Sequence, residues 1–285
     1  MKQTVTIGEL QRLFLEMMNE FHRFCVDKNI KYYMVGGTLL GAVREKGFIP
    51  WDDDVDFAMP RPDYERFIRE YDGDMILQSI RNDKKHFFPY VKLFNPDVQV
   101  IQIEDEKYQI NSRVFVKFDI YPIDGLGNDK EKALSVLETV RRRKKLLYLN
   151  LTREKSKNPI KNVALAAIRC IPSRLILKNI DKKMSRYSTE DSLYLTRWRE
   201  GGVSANLVDR DVFGEPALLP FEDYQFYAPQ DYNEYLMKVY GDYMVEQREN
   251  AGLRHDIYQN KVTEELAKSL DCEQSVNAGG GNTPS

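Results

Sequence analysis

The chain has 285 residues, of which 42% are hydrophobic, so it is long enough for one large domain, or one domain with an extension, around a substantial core. Its formal net charge of −2 argues against a general nucleic-acid-binding protein, which is usually basic. No apolar run reaches the length of a membrane span, and the first residues lack the apolar segment of a signal peptide. We therefore expect a cytoplasmic protein that binds no nucleic acid.

The three cysteines do not form a recognisable framework. Cys25, Cys170 and Cys272 are odd in number and far apart in sequence, which matches neither a disulfide scaffold nor the spacing of a zinc site. We expect three ordinary thiols.

Helical and strand patterns alternate in the first quarter of the chain. The sequence from Thr6 to Glu9 is a T-x-x-E capping box, and the apolar residues after it recur at helical spacing. Gly36 and Gly37 end a short apolar run, and Pro62 suits the first turn of a helix. In chain order, the predicted elements are a helix from Ile7, a strand at 32–35, a short helix at 38–45, a strand at 54–59 and a helix from Pro62.

Strand patterns follow, and then helical ones. Runs rich in β-branched and aromatic residues, separated by turns, predict strands at 75–80, 90–94 and 98–103, and a further strand from Arg113 that ends at Asp119 and is followed by a Pro/Gly turn. From Asp129 the pattern becomes helical and stays so until about Tyr187. Short strands at 213–229 and a last helix at 230–241 complete the prediction.

The order of these elements predicts an α/β (α+β) fold. A mixed sheet core is expected at 1–128, and a helical and C-terminal region at 129–258 is expected to pack on that core. The segment 259–285 forms a tail, and its Gly-rich, polar end lacks the composition needed to pack, so we expect that end to be disordered.

An unusual concentration of negative charge lies beside the strand at 54–59. Asp52, Asp53, Asp54 and Asp56 fall within five positions. Because alternate side chains of a strand share a face, Asp54 and Asp56 point one way and their apolar neighbours the other. Two carboxylates about 4 Å apart repel by roughly 4 kcal/mol at an effective dielectric constant near 20, which a bound cation would relieve. Oxygen ligands favour Mg²⁺ or Mn²⁺ over zinc. A solvated acidic turn explains Asp52 and Asp53 but not this alternation.

A third carboxylate is expected to join the pair. Asp119 ends the apolar alternation of its own strand, and it converges on Asp54 and Asp56 if the two strands are neighbours. Asp124 lies in a Pro/Gly turn, where aspartate is common for turn reasons alone, so Asp119 is preferred. Asp52 has two open interpretations: a metal ligand or helper of a base, and a solvated loop charge.

A glycine pair precedes this cluster and predicts an anion site. Gly36, Gly37 and Thr38 follow a strand and open a helix, so free backbone N–H groups and a hydroxyl are available to a phosphate. Arg44, on the same helix, either reaches that phosphate or is an ordinary exposed arginine. The combination of strand, Gly-Gly-Thr, helix, loop and D-x-D strand predicts a metal–phosphate site.

The segment 36–67, GGTLLGAVREKGFIPWDDDVDFAMPRPDYERF, resembles the LicD family of the nucleotidyltransferase superfamily, which also includes fukutin-type proteins. The resemblance continues in FDIYPIDG (118–125), FEDYQFYAP (221–229) and YNEYLMKVYGDYM (232–244), and covers most of residues 6–258. It implies a nucleotidyltransferase-like catalytic core at 1–128.

The resemblance also implies an activity: metal-dependent transfer of phosphocholine, or a related phospho-alcohol, from a CDP-linked donor such as CDP-choline or CDP-ribitol. The implied acceptor is a hydroxyl of a cell-surface glycan (lipopolysaccharide, teichoic acid or capsule polysaccharide) or of its lipid-linked precursor, at the inner face of the membrane. The residues carried over are the metal pair Asp54 and Asp56, the third acid Asp119, and the donor-phosphate loop Gly36, Gly37 and Thr38. Either Asp119 or Asp52 is then expected to orient or deprotonate the acceptor hydroxyl.

Three positions depart from the family pattern. Lys92 is the expected basic residue and a candidate donor contact, but the polar motif ending in Thr does not follow it. Glu45 follows Arg44 where the family often has His. Arg254 and His255 occupy the place of an expected basic cluster; they bind phosphate or the acceptor, or they are a surface pair on a tail helix.

Two further segments have open interpretations. The basic run RRRKK at 141–145 is either a solvated helix face or a contact for anionic lipid headgroups. The apolar segment 163–177, interrupted by Pro172, is too short to span a bilayer and is either interfacial or packed.

Three other functions share parts of this pattern: a nucleotidyltransferase that adds NMP to a small molecule or protein, a non-catalytic metal- or glycan-binding protein, and a D-x-D glycosyltransferase. Retention of all the carboxylates argues against the second, and the glycine–helix element is unexplained by the third. The fate of the nucleotide separates the first from phospho-alcohol transfer. The alcohol, the acceptor hydroxyl and the oligomeric state depend on surface shape, which residue spacing does not encode.

Overall fold

The structure is a computed structural model that describes residues 3–4, 6–102, 113–152, 156–197, 202–245 and 257–261. Helices and a mixed sheet form an α/β fold, which confirms the predicted fold class. Within these ranges no helix combines the length and apolarity that crossing a membrane requires. The eight α-helices of the described residues are α1 (Ile7–Asp27), α2 (Gly36–Arg44), α3 (Arg61–Glu70), α4 (Lys130–Leu151), α5 (Pro159–Arg169), α6 (Ser173–Met184), α7 (Arg210–Phe213) and α8 (Tyr232–Tyr240).

Eleven strands are described, and nine of them belong to one sheet. Its main path runs β1-β11-β5-β6-β3-β2, with β4 paired to β5, β7 to β6 and β8 to β7, while β9 and β10 form a separate hairpin. The strands are β1 (Gln3–Thr4), β2 (Tyr33–Met34), β3 (Asp56–Pro60), β4 (Ile76–Gln78), β5 (Val91–Gln102), β6 (Arg113–Gly125), β7 (Tyr194–Arg197), β8 (Val208–Asp209), β9 (Ala217–Phe221), β10 (Tyr224–Ala228) and β11 (Ile257–Lys261).

The predicted capping box starts α1. The Thr6 hydroxyl accepts the backbone N–H of Glu9 at 3.3 Å, and the Glu9 carboxylate accepts the backbone N–H of Thr6 at 2.8 Å. These bonds satisfy two amides that the first turn of a helix leaves without partners. The apolar stripe that follows is buried against the sheet, which fixes α1 across one face of it.

Strand β6 is the centre of the sheet and sets the geometry of the site. It runs parallel to β3 and antiparallel to β5 and β7. Phe57 of β3 and Phe118 of β6 point into the core, where both rings contact Phe21 of α1 at centroid distances of 4.6 and 5.4 Å. Because side chains alternate along a strand, the residues beside them, Asp56 and Asp119, face the opposite side of the sheet.

A second apolar cluster forms around α4 and α6. One face of α4 buries residues at helical spacing against Ile176, Leu177 and Ile180 of α6. The α4 residues that share this face are Ala133, Val136, Leu137, Val140 and Leu147. The helical region predicted after residue 129 therefore has a core of its own, while Phe221, Phe226 and other residues of the C-terminal part pack in the first cluster.

An ionic cluster joins the sheet to α6. Arg61 donates two hydrogen bonds to Asp124, at 2.6 and 2.8 Å, and one each to Glu65 and Asp181 at 3.1 Å. Asp124 lies within β6 and not in the Pro/Gly turn that the sequence predicted, and it is fully buried. Its carboxylate is therefore committed to Arg61, which agrees with the preference for Asp119 as the third acid of the site.

We expect Asp124→Asn to be strongly destabilising, because the Arg61 guanidinium would keep its buried position without its bidentate acceptor. Breaking a buried pair from one side costs about 3–5 kcal/mol. The loss is expected as a lower midpoint in thermal unfolding, roughly 2–4 °C for each kcal/mol in a chain of this size. An unchanged midpoint would show that the cluster adds nothing to stability.

Candidate active site

Three charged side chains line up across neighbouring strands. Asp56 of β3 is the register partner of Asp119 of β6, and Asp119 is in turn the register partner of Lys92 of β5. The expectation that Asp56 and Asp119 converge therefore has its structural basis in the parallel pairing of β3 and β6. Asp54 precedes β3 on the same side and is exposed.

Lys92 and Asp119 form a buried ion pair. The Lys92 Nζ donates to Asp119 Oδ1 at 3.0 Å and to Oδ2 at 3.4 Å. Burial lowers the pKa of Lys92 to about 8, against the opposing pull of the carboxylate. Burial also acts to raise the pKa of Asp119, but the Lys92 and Lys117 ammonium groups outweigh it and hold that pKa below its usual value. Lys92, which was expected to contact the donor, thus lies beside Asp119 in the row of three charged side chains.

The glycine pair lets two carboxylates approach the start of α2. Gly36 has φ +63°, a conformation that favours glycine, and a Cβ there would lie 2.7 Å from Asp56 Oδ2. A Cβ on Gly37 would lie 2.6 Å from Asp52 Oδ2. Both glycines therefore have a steric role: each leaves the space that one carboxylate occupies against the helix N-terminus.

Thr38 connects α2 to β3. Its hydroxyl accepts the backbone N–H of Asp56 at 2.9 Å, and the backbone N–H of Val35 bonds the Asp56 carbonyl at 3.1 Å. The Thr38 hydroxyl, expected to face a phosphate, is thus engaged in positioning Asp56. The N-cap residue of α2, Val35, makes no side-chain hydrogen bond to the first-turn N–H groups of the helix.

The aspartates strongly influence one another. Burial, reinforced by the charges of Asp54, Asp53 and Asp56 and by a hydrogen bond to Asp54, raises the pKa of Asp52 to about 8. Burial and the Asp54 charge raise the pKa of Asp56 to about 7, although Arg197 acts in the other direction. A set of carboxylates that resists ionisation in this way is electrostatically suited to a cation.

The loop that carries Asp52 and Asp53 is fixed from α1. The Gln11 side-chain amide donates to the backbone carbonyls of Ile49 and Asp52, each at 3.1 Å. Asp53 is buried, whereas Asp52 is only partly so. The loop is therefore held in place and is not the freely solvated acidic turn that was the alternative.

Within the described part of the chain, no three carboxylate, histidine or cysteine side chains already converge as a metal-binding group. The chemistry of the donor set nevertheless fits Mg²⁺ or Mn²⁺, since all its members are carboxylates. Asp52, Asp54 and Asp56 are the residues available to hold such an ion. Asp119, expected as the third ligand, has both oxygens directed to Lys92.

Arg197 is a site residue that the sequence did not reveal. Its side chain is 7% exposed, and its Nη1 lies 3.9 Å from Asp56 Oδ2. The buried Nε finds no hydrogen-bond acceptor among the described residues. A buried guanidinium with a spare donor is suited to an anionic ligand. In the sequence, Arg197 is only an arginine at the end of a short strand. Nothing in that pattern links it to Asp56, which lies 141 positions earlier.

Arg44 is not part of this group. Arg44 lies at the opposite end of α2 from Gly36, about 12 Å along the helix axis, and its Nε donates to Glu45 at 2.6 Å. Arg254 and His255 lie outside the described residues, so their roles stay predictions.

The sequence is similar to known proteins over this region and beyond it. The family model described as LicD/FKTN/FKRP, nucleotidyltransferase domain, matches residues 29–135. The chain is 28% identical over 251 residues to the lipopolysaccharide cholinephosphotransferase LicD of Haemophilus influenzae, covering 84% of this chain and 92% of that protein. An uncharacterized protein of Rickettsia typhi is 29% identical over 143 residues, which are 43% of this chain and 46% of that protein.

The match at 29–135 contains the glycine pair, all four clustered aspartates, Lys92 and Asp119. The side chains that the sheet brings together are therefore the side chains of one family domain, with Arg197 added from outside it. Residues 29–135 match the nucleotidyltransferase domain of the LicD family.

Proposed function

We propose that this chain is a metal-dependent transferase that moves phosphocholine, or a related phospho-alcohol, from a CDP-linked donor to a hydroxyl of a cell-surface glycan or its lipid-linked precursor. The observation that carries the proposal is the contact between the start of α2 and the acidic set, at Gly36 with Asp56 and Gly37 with Asp52. A helix N-terminus, which is suited to binding a phosphate, and a set of carboxylates, which is suited to binding a cation, therefore share one site. Similarity to a cholinephosphotransferase over most of the chain supports the choice of transferred group.

Different residues of the site would bind the cation and the donor phosphates. Asp54 and Asp56, with Asp52 beside them, would hold a divalent cation, which when bound neutralises charge on the donor phosphates. The backbone N–H groups at the start of α2 and the Arg197 guanidinium would bind donor phosphate oxygens.

The proposed reaction is a direct displacement at phosphorus. The acceptor hydroxyl oxygen forms a bond to the phosphorus that carries the alcohol, and the bond from that phosphorus to the oxygen of CMP breaks. CMP leaves with that electron pair, and the hydroxyl proton passes to a carboxylate of the site, Asp119 or Asp52. A phosphodiester remains on the glycan, and no covalent intermediate with the protein is needed.

The test combines donor binding with product analysis. Thermal unfolding with Mg²⁺ and each of CDP-choline, CDP-ribitol, CDP-glycerol, UDP-glucose and ATP identifies the donor, since a ligand at about 100 times its Kd stabilises by roughly 2.7 kcal/mol. The stabilising nucleotide is then incubated with a lipopolysaccharide acceptor, with Mg²⁺ or with EDTA. We expect free CMP and an acceptor whose mass rises by the phospho-alcohol, both absent in EDTA.

Other outcomes contradict the proposal. Nucleotide attached to the acceptor would indicate NMP transfer. A shift with UDP-glucose or ATP alone would indicate a different transferase, and binding without turnover on any glycan would indicate a non-catalytic protein.

Arg197 is expected to bind the donor, and Arg44 is the matched control. Arg197→Met removes the buried guanidinium, and we expect the Kd for the donor to rise about 10- to 100-fold, the scale of one charge-assisted hydrogen bond. Arg44→Met also removes one arginine, but Arg44 lies at the far end of α2 and is paired with Glu45. We expect it to change the Kd for the donor less than about twofold. Isothermal titration of both variants with the donor and Mg²⁺ measures the difference.

Arg197→Lys provides the check against misfolding. It keeps the charge but not the planar fork, so we expect donor affinity between those of wild type and Arg197→Met, with a thermal midpoint near that of wild type. Equal donor affinity in all three proteins would show that the spare Nε is not a ligand contact.

A further inference from the structure

Helix α5 is an amphipathic helix whose apolar side faces away from the protein. None of its residues, Pro159–Arg169, is buried. Ile160 is 78% exposed and Val163 is 72% exposed, and Leu175, which follows in α6, is 60% exposed. In a globular protein such a stripe usually packs against the core. Packing against the core therefore does not explain the apolar residues of this helix.

The exposed apolar residues form a continuous stripe. Positions 160, 163, 164 and 167 follow helical spacing along α5, Ile171 lies just beyond the helix, and all five are exposed apolar residues. Leu165 and Ile168, on the other side, are partly buried. We call the five positions together with Leu175 the α5 surface.

The helix is held in this orientation by polar contacts. Asn150 of α4 donates to the carbonyls of Ile168 and Ile171 at 2.7 and 2.8 Å, and Arg169 donates to the carbonyl of Thr152 at 2.9 Å. At the other end, the Asn158 side chain caps the first turn. The bonds from Asn150 and Arg169 fix the C-terminal end of α5 against α4 and the segment after it, the Asn158 cap stabilises the first turn, and the apolar stripe stays uncovered.

The segment of the chain that carries the α5 surface has charges of one sign. Residues 156–180 contain five basic residues and no acidic residue. Lys157, Lys161 and Lys178 are exposed. An apolar stripe with a basic border matches the interface of an anionic bilayer, where apolar side chains enter the acyl boundary and ammonium groups meet phosphate headgroups.

We propose that the α5 surface binds the surface of an anionic lipid membrane. A second copy of the chain is the poorer occupant, because a two-fold interface would place one basic border against the other. The run at 141–145 contributes less than its composition suggests, since Arg141 and Arg142 both pair with Glu138, at 2.8 and 3.1 Å. Membrane binding of this kind is independent of the proposed activity and would bring the chain to a lipid-linked acceptor.

Vesicle flotation of the full chain tests the proposal. We expect binding to vesicles of phosphatidylcholine with 30% phosphatidylglycerol and little binding to phosphatidylcholine alone, with the difference lost at high salt. Ile160→Ser/Val163→Ser and, separately, Lys157→Gln/Lys161→Gln are expected to weaken binding at least tenfold. Leu218→Ser, at an exposed apolar residue of β9, and Arg141→Gln/Arg142→Gln are the matched controls and are expected to change it less than about twofold.

A fluorophore can report the same contact directly. Cys170, which follows α5, is exposed, whereas Cys25 is buried. With Cys272→Ser, an environment-sensitive maleimide therefore labels Cys170 selectively. We expect its emission to shift to the blue with the anionic vesicles only.

Three results would overturn the proposal: no flotation of the wild type, equal flotation of the α5 variants and the wild type, or self-association that Ile160→Ser/Val163→Ser abolishes while the wild type ignores vesicles. The last would identify the surface as an interface between copies. Because the readout is binding, these results leave the proposed transferase activity unaffected.

Discussion

Replacing Asp56 by asparagine is expected to lower phospho-alcohol transfer by at least about 10²–10³-fold, the scale on which loss of a preorganised electrostatic group is felt. Asparagine keeps the shape of the side chain, so β3 and its pairing with β6 are expected to stay intact. It removes one of the charges that would hold the cation and that Arg197 faces. Release of CMP from the donor in the presence of acceptor measures the loss.

The same substitution is expected to leave the fold as stable as before, or more stable, when divalent cations are removed. Burial and the Asp54 charge raise the folded-state pKa of Asp56 to about 7, whereas an aspartate in an unfolded chain titrates near 3.9. A raised carboxyl pKa costs stability as the pH rises from about 4 to about 7. In EDTA, the midpoint of Asp56→Asn should therefore exceed that of wild type by a margin that grows over this range.

Asp124→Asn is the matched control, because it too removes one carboxylate from the same sheet. Burial raises the pKa of Asp124 as well, but Asp124 accepts two hydrogen bonds from the buried Arg61 guanidinium, so its loss is expected to lower stability. The Asp56 variant is expected to lose activity without losing stability. If Asp56→Asn unfolded at a clearly lower temperature than wild type at pH 7 in EDTA, the carboxylate would be a structural group and not one maintained for a cation.

Substituting the glycines is expected to have the second largest effect. In Gly37→Ala the new methyl group would lie 2.6 Å from Asp52 Oδ2, so that carboxylate has to move. The end of a side chain moves at little cost, and we expect stability close to that of wild type. The acidic set, however, loses its position against α2, and a displacement of about 1 Å in a catalytic group can cost 10²-fold in kcat/KM.

Gly36→Ala adds backbone strain to the same displacement. Gly36 has φ +63°, and a left-handed conformation costs a residue with a Cβ roughly 1–2 kcal/mol. We therefore expect Gly36→Ala to lose activity, because Asp56 is displaced, and to unfold at a temperature several degrees lower than wild type. Gly8→Ala in α1 is the control, since a Cβ there meets no atom within 4 Å. Full activity of Gly37→Ala would show that the close approach of Asp52 is unimportant.

The donor and cation affinities of Gly37→Ala distinguish two explanations of the glycine pair. If the glycines serve only to expose backbone N–H groups to a donor, Gly37→Ala should affect donor binding and leave cation affinity unchanged. If they also make room for the carboxylates, as the contacts with Asp52 and Asp56 indicate, cation affinity should fall as well. Titration of Mn²⁺ followed by electron paramagnetic resonance distinguishes the two.

Much of the site was predictable because its information is local. The alternation of Asp54 and Asp56 with apolar residues follows from the two-residue period of a strand. The glycine pair at the start of a helix, and Asp119 at the end of an apolar run, are likewise patterns of a few neighbouring residues. Such patterns determined the fold class and the acidic and glycine components of the site.

The contacts between these components depended on the register and order of the strands. The pairing of β5 and β6 commits Asp119 to Lys92, and the position of β7 beside β6 brings Arg197 to Asp56. Helix α3 places Arg61 on Asp124 and so removes that carboxylate from the site. No short pattern encodes these partners, which lie 27 to 141 positions apart in the chain.

The helical region shows the same division. Sequence periodicity predicted helices after residue 129 and an apolar segment at 163–177, with packing and interfacial interpretations both open. The tertiary structure buries Ile176 and Leu177 of α6 against α4, while it leaves Ile160 and Val163 of α5 in solvent. Periodicity determines which residues share a face of a helix, but only the packing of neighbouring helices decides which face is covered, because burial depends on contacts between elements.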